Sequence, residues 1–303
     1  MNKILISLLI IIFFSCGIKK KTKDNSQKIS ESNTSIIVEP QQFIKDLPNK
    51  LAENSGIIFY DNLLWTFNDS GGVNKIYGFN FFGEIKKEIE IEDAKNVDWE
   101  DITQDKKHIY IGDFGNNRGM RKNQTIYRIK KKDIGKSAKQ KVKSKKIQFD
   151  FEDQTDFSFQ GKNTPFDCEA IVDFNESLYI FTKDWATRFT TVYEVPKKKG
   201  KYTIKPLGKF NVNGLITGAD ISPDKSKLAL VGYKDYKPIL WIFTDFTAGK
   251  FWGEQKMHIE MDAIFDAQTE GVCFLGNDSI LISCERTSTF RQQIFLIDLN
   301  DLN

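Results

Sequence analysis

Short apolar runs rich in β-branched and aromatic residues recur along most of the chain, each bounded by Asn, Asp or Gly. No long stretch repeats at the 3.6-residue period of a helix, so the runs predict strands throughout. Five segments share one order: a small or acidic residue opening a first strand, a turn, a second apolar strand ending in polar residues, and an aromatic-rich third strand. The first runs from Ser55 through Leu63–Gly72 to Lys75–Phe79, and the second from Glu100 through His108–Asp113 to Thr125–Ile129. The third spans Glu169, Leu178–Asp184 and Val192–Val195; the fourth Ala219, Leu228–Gly232 and Ile239–Phe243; the fifth Glu270, Ile280–Arg286 and Ile294–Ile297.

A further strand follows in the first four segments, at Ile85–Ile91, Lys146–Glu152, Thr203–Phe210 and His258–Met261. The fifth segment has none, because the chain reaches Asn303 directly after its third strand. An open edge of that kind must be covered or paired. The unassigned stretch Ser35–Glu39 is expected to pair with it and close a ring. Four-stranded sheets repeated radially make an all-β β-propeller, here with five blades. Six blades are the alternative, because Glu100 and Glu169 lie 69 residues apart where the other steps are 45, 50 and 51. The extra length, Thr155–Asp167, reads as a rim loop. A two-sheet sandwich would leave the recurrence unexplained.

The 303 residues, 28% charged and 40% hydrophobic, are enough for one large globular unit. Forty-four basic against 41 acidic side chains leave +3, far from the field that binding a nucleic acid needs. Two histidines, His108 and His258, are too few for most zinc sites and argue against histidine triads. Phosphate-loop, dinucleotide, nucleophile-elbow and zinc-helix motifs are absent.

Lys3 precedes the unbroken apolar run Ile4–Phe14 and then Ser15-Cys16-Gly17. This describes a secretory signal over residues 1–15, too short to span a membrane as a helix. Phe13-Phe14-Ser15-Cys16 resembles the bacterial lipobox, which implies cleavage before Cys16 and its diacylation, a palmitate-bearing membrane anchor. An ordinary cleaved signal with an incidental Cys is the alternative. Gly17 rather than Asp after the Cys favours, by the same resemblance, the outer membrane facing the periplasm. Residues 16–35 read as a polar tether whose Lys19, Lys20, Lys21 and Lys23 would lie beside anionic headgroups, and residues 36–303 as the propeller domain. Cys168, Cys273 and Cys284 form an odd set, expected to be buried thiols, with a Cys273–Cys284 pair as the alternative.

In a propeller the start of each first strand and the end of each second strand meet at one mouth of the channel. The starts bring Glu100, Glu169 and Glu270 together, with Ser55 and Thr217 to Asp220. The ends add Asn68, Asp69, Asp113, Asn116, Arg118, Lys183, Asp184, Tyr233, Glu285 and Arg286. Three Glu at matching positions repel unless something compensates them. Either Lys183, Arg286 and Arg118 pair with them, or a hard cation does; oxygen-rich and histidine-poor, the set suits Ca²⁺ better than Zn²⁺. Capping of backbone N–H groups between blades is a further role for any one Glu. Trp185 reads as a platform for a sugar or other planar face, and Trp65 as core.

Asp98-Trp99-Glu100-Asp101-Ile102, Ile109-Tyr110-Ile111-Gly112-Asp113-Phe114-Gly115-Asn116-Asn117-Arg118 and Asn68-Asp69-Ser70-Gly71-Gly72 resemble motifs of the SdiA-regulated propellers. These are exported bacterial proteins related to NHL-type, TolB-like and phytase-like esterase propellers. The resemblance implies the fold, export and a bound cation. Two functions follow as expectations. One is capture of a small molecule, glycan or envelope protein at the mouth; the other is calcium-dependent hydrolysis of an ester, lactone or phosphoester.

Overall fold

The computed structural model describes residues 35–69 and 71–302; the apolar N-terminal run, Cys16, the tether and Ser70 lie outside the described residues. Two short strands come first, β1 (Ser35–Ile37) and β2 (Gln41–Ile44). Blade 1 follows with β3 (Asn54–Tyr60), β4 (Leu63–Asn68), β5 (Lys75–Phe79) and β6 (Ile85–Ile91). Blade 2 holds β7 (Trp99–Gln104), β8 (His108–Asp113) and β9 (Gln124–Lys130), then β10 (Lys139–Val142) leads into its outer strand β11 (Ser144–Phe151). Blade 3 has β12 (Asp167–Phe174), β13 (Ser177–Lys183) and β14 (Thr190–Pro196), with β15 (Gly200–Ile204) leading into β16 (Pro206–Phe210). Blade 4 comprises β17 (Leu215–Ile221), β18 (Leu228–Lys234), β19 (Lys237–Phe243) and β20 (Lys256–Glu260). Blade 5 comprises β21 (Thr269–Phe274), β22 (Ser279–Cys284) and β23 (Gln293–Asp298). The protein is a five-bladed β-propeller.

Both faces of each blade are buried, which is why the strands read as continuous apolar runs rather than alternating ones. Leu64 faces blade 5, together with Ile57, Leu281 and Ile294. Its neighbours Trp65 and Phe67 face blade 2, against Trp99 and Ile111. Each of the five interfaces between neighbouring blades holds one such cluster. A fully buried side chain of this size contributes roughly 1.5–3 kcal/mol. Cys273 lies in the cluster facing blade 1 and Cys284 in the one facing blade 4, so opposite faces of blade 5 keep the two apart. All three cysteines of the propeller are free and buried.

Closure differs from the sequence expectation in one respect. The strand that completes blade 5 is β2, antiparallel to β23 with Gln41 opposite Leu296. Ser35–Ile37 instead runs parallel to β20 on the edge of blade 4. Apolar anchoring explains the choice: Ile44 and Leu47 are buried between blades 5 and 1, whereas Ile37 is 71% exposed. Thr203–Phe210 is likewise two strands, because the break before Pro206 sends β15 to blade 2, parallel to β11, and leaves β16 to complete blade 3. β10 repeats the device by adding a parallel strand to β6 of blade 1. Three blades thus gain a fifth strand from the segment entering the next blade's last strand. The stretch from Thr155 to Phe166 forms no strand; Gln160 and Gln154 tie it to Arg118 and Gly119, so it is a rim loop.

Candidate functional site

Every first strand slips register by one residue near its start, between Ser55 and Ile58, Trp99 and Asp101, Cys168 and Ala170, Ile216 and Gly218, and Thr269 and Gly271. The extra residue of a bulge leaves the ladder and its side chain is re-aimed. In blades 2, 3 and 5 that residue is Glu100, Glu169 or Glu270; blade 4 has Thr217, and blade 1 has Gly56 followed by Ile57. Ser55 and Ala219 are therefore not the counterparts of the three Glu. Gly56 adopts φ +61°, and a Cβ there would lie 2.8 Å from the Asp101 carboxylate. The neighbouring hydroxyls stitch blade to blade: Ser55 Oγ donates to the Glu100 carbonyl at 2.5 Å and Thr217 Oγ1 to the Thr269 carbonyl at 2.6 Å.

Around this ring the carboxylates crowd. Oxygens of Asp69, Asp98 and Glu100 lie within 4.8 Å of one another. Burial, then Glu169, Asp69 and Asp98, hold the Glu100 carboxyl well above the usual range. Burial and Asp69 push Asp98 to about 7, against the pull of Arg121. Glu169 is raised by burial, although Lys183 opposes the shift. Burial takes Glu270 to about 7, and burial with Glu270 and Asp69 takes Glu285 to about 9. Lys183 Nζ stands 3.1 Å from Glu169 Oε1. Burial works against the Lys183 charge, but Glu169, Tyr233 and Glu270 outweigh it and keep the ammonium protonated. Its Nζ also sits over the Trp185 ring at 4.9 Å and the Tyr233 ring at 5.6 Å.

Other expected site residues serve the scaffold. Asp113 accepts from Arg121 Nη2 at 2.5 Å and from the Asp98 backbone N–H at 3.1 Å. Asn116 receives the Arg121 N–H on Oδ1 and donates Nδ2 to the Phe166 carbonyl. Asn68 donates to the Lys50 carbonyl, and Asp184 caps the N–H groups of Ala186 and Thr187. Arg286 does not join the ring: its guanidinium bonds Gln292 and Asn49, and its N–H donates to Ala52. Arg118 is exposed on the rim. Asp220 turns inward from the mouth and accepts the Phe274 N–H of blade 5 at 2.8 Å, its carboxyl raised to about 7 by burial.

The sequence reading passed over four residues. Asp101 accepts the N–H groups of Ile102, Ile171 and Ala219, tying three blades together beneath the mouth. Asp167 accepts Trp185 Nε1 at 2.7 Å and the Asn116 N–H at 2.7 Å. Asp98 and Arg121 complete the set. Asp98, Asp101 and Asp167 each adjoin a bulge Glu or its neighbour, a detectable signal; Arg121 sits in a loop with none. Gly115 gives Asp98 and Glu100 their room, since a Cβ would lie 2.0 Å from Glu100 Oε1 and 2.5 Å from Asp98 Oδ2.

Two clefts open beside the acidic cluster. One of about 750 Å³ is lined by Asp98, Gly115, Asn116, Arg118 and Arg121. Another of about 560 Å³ is lined by Trp185, Arg188, Tyr233, Tyr236 and Gln268, so the expected aromatic platform borders a cavity. Neither histidine is near: His108 contacts Asp105, and His258 stacks on Trp241 and bonds Ser35.

The solved structures similar to this chain are propellers. The PQQ-bound aldose sugar dehydrogenase of Streptomyces coelicolor aligns over 85% of this chain and 96% of its own, at 8% identity and a TM-score of 0.52. A glucose dehydrogenase aligns over 86% and 98%, at 8% identity and a TM-score of 0.48. TolB from Agrobacterium tumefaciens aligns over 82% and 77%, at 12% identity and a TM-score of 0.44. At 8% identity, the likeness to the first of these shows the fold alone. No family model matches the chain, and no curated protein matches it.

Proposed function

We propose that this propeller is a lipid-anchored protein of the bacterial cell envelope, held through Cys16 at the outer membrane and facing the periplasm, which captures a ligand at its acidic channel mouth. The observation that carries the binding site is Glu100. The residue is 6% exposed, its carboxyl makes no hydrogen bond or ion pair among the described residues, and that carboxyl lies beside those of Asp69 and Asp98. A buried carboxyl without a partner is costly, and an oxygen-seeking cation relieves the cost. Asp69, Asp98 and Glu100 would hold Ca²⁺, while Lys183 already compensates Glu169 and Glu270. The ligand, whether small molecule, glycan or protein partner, would then contact the charged centre and the cleft of Trp185 and Tyr233.

Calorimetric titration with CaCl₂ in the millimolar range tests the site. Saturable binding is expected, and a flat titration removes the cation. Mass spectrometry of membrane-extracted protein tests the anchor: an acylated N-terminal Cys16 is expected, and an unmodified N-terminus elsewhere removes it. A second reading, hydrolysis of an ester, lactone or phosphoester, draws on the Asp98 carboxyl near 7, where a general base works well. When bound, the cation would supply an acidified water; Asp98 and Glu100 would hold and orient the polar groups around it. Capture ranks first, because among the described residues the mouth brings no histidine or activated hydroxyl to the carboxylates.

A further inference from the structure

The segment joining the third and outer strands of blade 2 stands apart in charge. Residues 130–146 contain nine Lys, no Arg and a single acid, Asp133. They wrap the edge of blade 1 as β10 and return to blade 2 as β11. On the neighbouring turn, Lys106 and Lys107 join Lys130, Lys131, Lys132 and His108 around a concavity of about 370 Å³. A second concavity, about 410 Å³, is lined by Lys145, Lys146 and Lys199 together with Asp93, whose carboxylate accepts the N–H and hydroxyl of Ser144.

Lysines elsewhere on the surface form ion pairs, as in Lys205, between β15 and β16, with Glu152 at 3.0 Å and Lys237, at the start of β19, with Asp262 at 3.2 Å. Within the basic segment only Lys141 forms an ion pair among the described residues, with Glu90 at 2.8 Å. Lys131 and Lys146 lie over the rings of Tyr60 and Tyr127. Since the whole chain carries only +3, this surface is a local excess set against the carboxylates of the mouth. Repulsion between such neighbours is relieved by an opposing anionic surface.

We infer that the outer flank of blade 2 is a docking surface for an anionic membrane, with lipid phosphates seated in the two lysine-lined concavities. Charge complementarity selects the partner, and the absence of Arg selects among anions. Lysines are hydrated point charges suited to headgroup phosphates, whereas base recognition draws on planar Arg and exposed aromatic platforms. Lys106 and Lys107 stand at the end of blade 2 opposite Trp99 and Asp113, so docking leaves the mouth clear. The inference rests on the envelope reading for the membrane's presence, and its test stands apart from that reading.

Two full-length chains carrying Cys16→Ser are compared by vesicle sedimentation. One is otherwise wild type; the other adds Lys106→Gln, Lys130→Gln, Lys132→Gln, Lys136→Gln and Lys145→Gln. Both keep the same apolar N-terminus, so its contribution cancels. The first should partition at least tenfold more strongly onto vesicles containing phosphatidylglycerol than onto pure phosphatidylcholine, and lose the difference in high salt. The second should lose most of that preference at an unchanged melting temperature. Equal partitioning of the two chains overturns the inference, as does binding of inorganic polyphosphate or duplex DNA in preference to vesicles. Lysine-dependent vesicle binding together with an unmodified native Cys16 would leave the docking surface standing and remove the lipid anchor alone.

Discussion

Lys183 and Glu169 face each other at 3.1 Å with side chains only 7% and 5% exposed, and their ion pair divides the mouth into unlike halves. On one side Glu169 and Glu270 share a resident ammonium; on the other, oxygens of Asp69, Asp98 and Glu100 gather within 4.8 Å of one another, with Arg121 drawing on Asp98. Lys183→Met leaves the first half without its cation and should cost about 3–5 kcal/mol at pH 8. Glu169→Gln should cost less, because Glu270 and Asp167 still face the ammonium. At pH 5 the raised carboxyls take up protons, so the penalty of Lys183→Met should shrink. Urea denaturation of the three chains at both pH values measures this. A pH-independent cost would contradict the charge argument.

The second half should behave oppositely. Added Ca²⁺ should raise the melting temperature of the wild type through linkage to the native state. Glu100→Gln should remove most of the rise, while Glu169→Gln should retain it. Gly115→Ala places a methyl where Glu100 and Asp98 now approach, and should weaken Ca²⁺ at least tenfold while the blades still fold. Calorimetry on the four chains decides. Loss of binding in Glu169→Gln but not in Glu100→Gln would move the site to the other half.

How much of this was readable follows from the bulges. Glu100, Glu169 and Glu270 were legible as a set because each opens an apolar strand, and Lys183 because it closes one. The register slip was not legible, since one extra residue leaves the apolar pattern almost unchanged. Ser55 and Ala219 therefore stood in for Gly56 and Thr217. Arg286 was misplaced for a related reason: the chain turns outward after Cys284, and Asn49 and Gln292 capture the guanidinium on the rim. The count of five blades was legible because five segments share one strand order, while the 69-residue step between Glu100 and Glu169 left six open until the stretch Thr155–Phe166 proved to be a loop. The parallel fifth strands were not, being short, polar and set by the path between blades.

Acid titration gives the mouth a pH signature. Asp98 and Glu270 titrate near 7 and Glu285 near 9 in the folded protein, all raised chiefly by burial. Unfolded carboxyls release their protons near 4, so between these limits the folded state binds more protons and its stability falls as pH rises. The contribution is complete below about 4 and lost progressively towards 7 for Asp98 and Glu270, and towards 9 for Glu285. In the presence of chelator the melting temperature should therefore be higher at pH 5 than at pH 8.5. Ca²⁺ should narrow that gap from the alkaline side through Asp98, where it competes with the proton for the carboxylate oxygens. A melting temperature that climbs from pH 5 to 8.5 in chelator would show that these carboxyls are not held protonated.

Ring closure rests on the N-terminal strands in unequal measure. β2 completes blade 5, and its last residue Ile44, with Leu47 and Leu51 beyond it, is buried in the seam with blade 1. β1 adds three residues to the edge of blade 4, with Ile37 exposed. Deleting residues 34–46 exposes β23 and empties part of the seam, so it should lower the melting temperature far more than deleting residues 18–33. Deleting 34–38 alone should fall near the milder result. Ile44→Ala isolates the seam from the strand, and should cost about 2–5 kcal/mol if the neighbours do not collapse into the space. Thermal and urea melts of the four variants separate these contributions. Should the deletions of 34–46 and 18–33 melt alike, blade 5 does not depend on β2, and the ring is held by the inner strands alone.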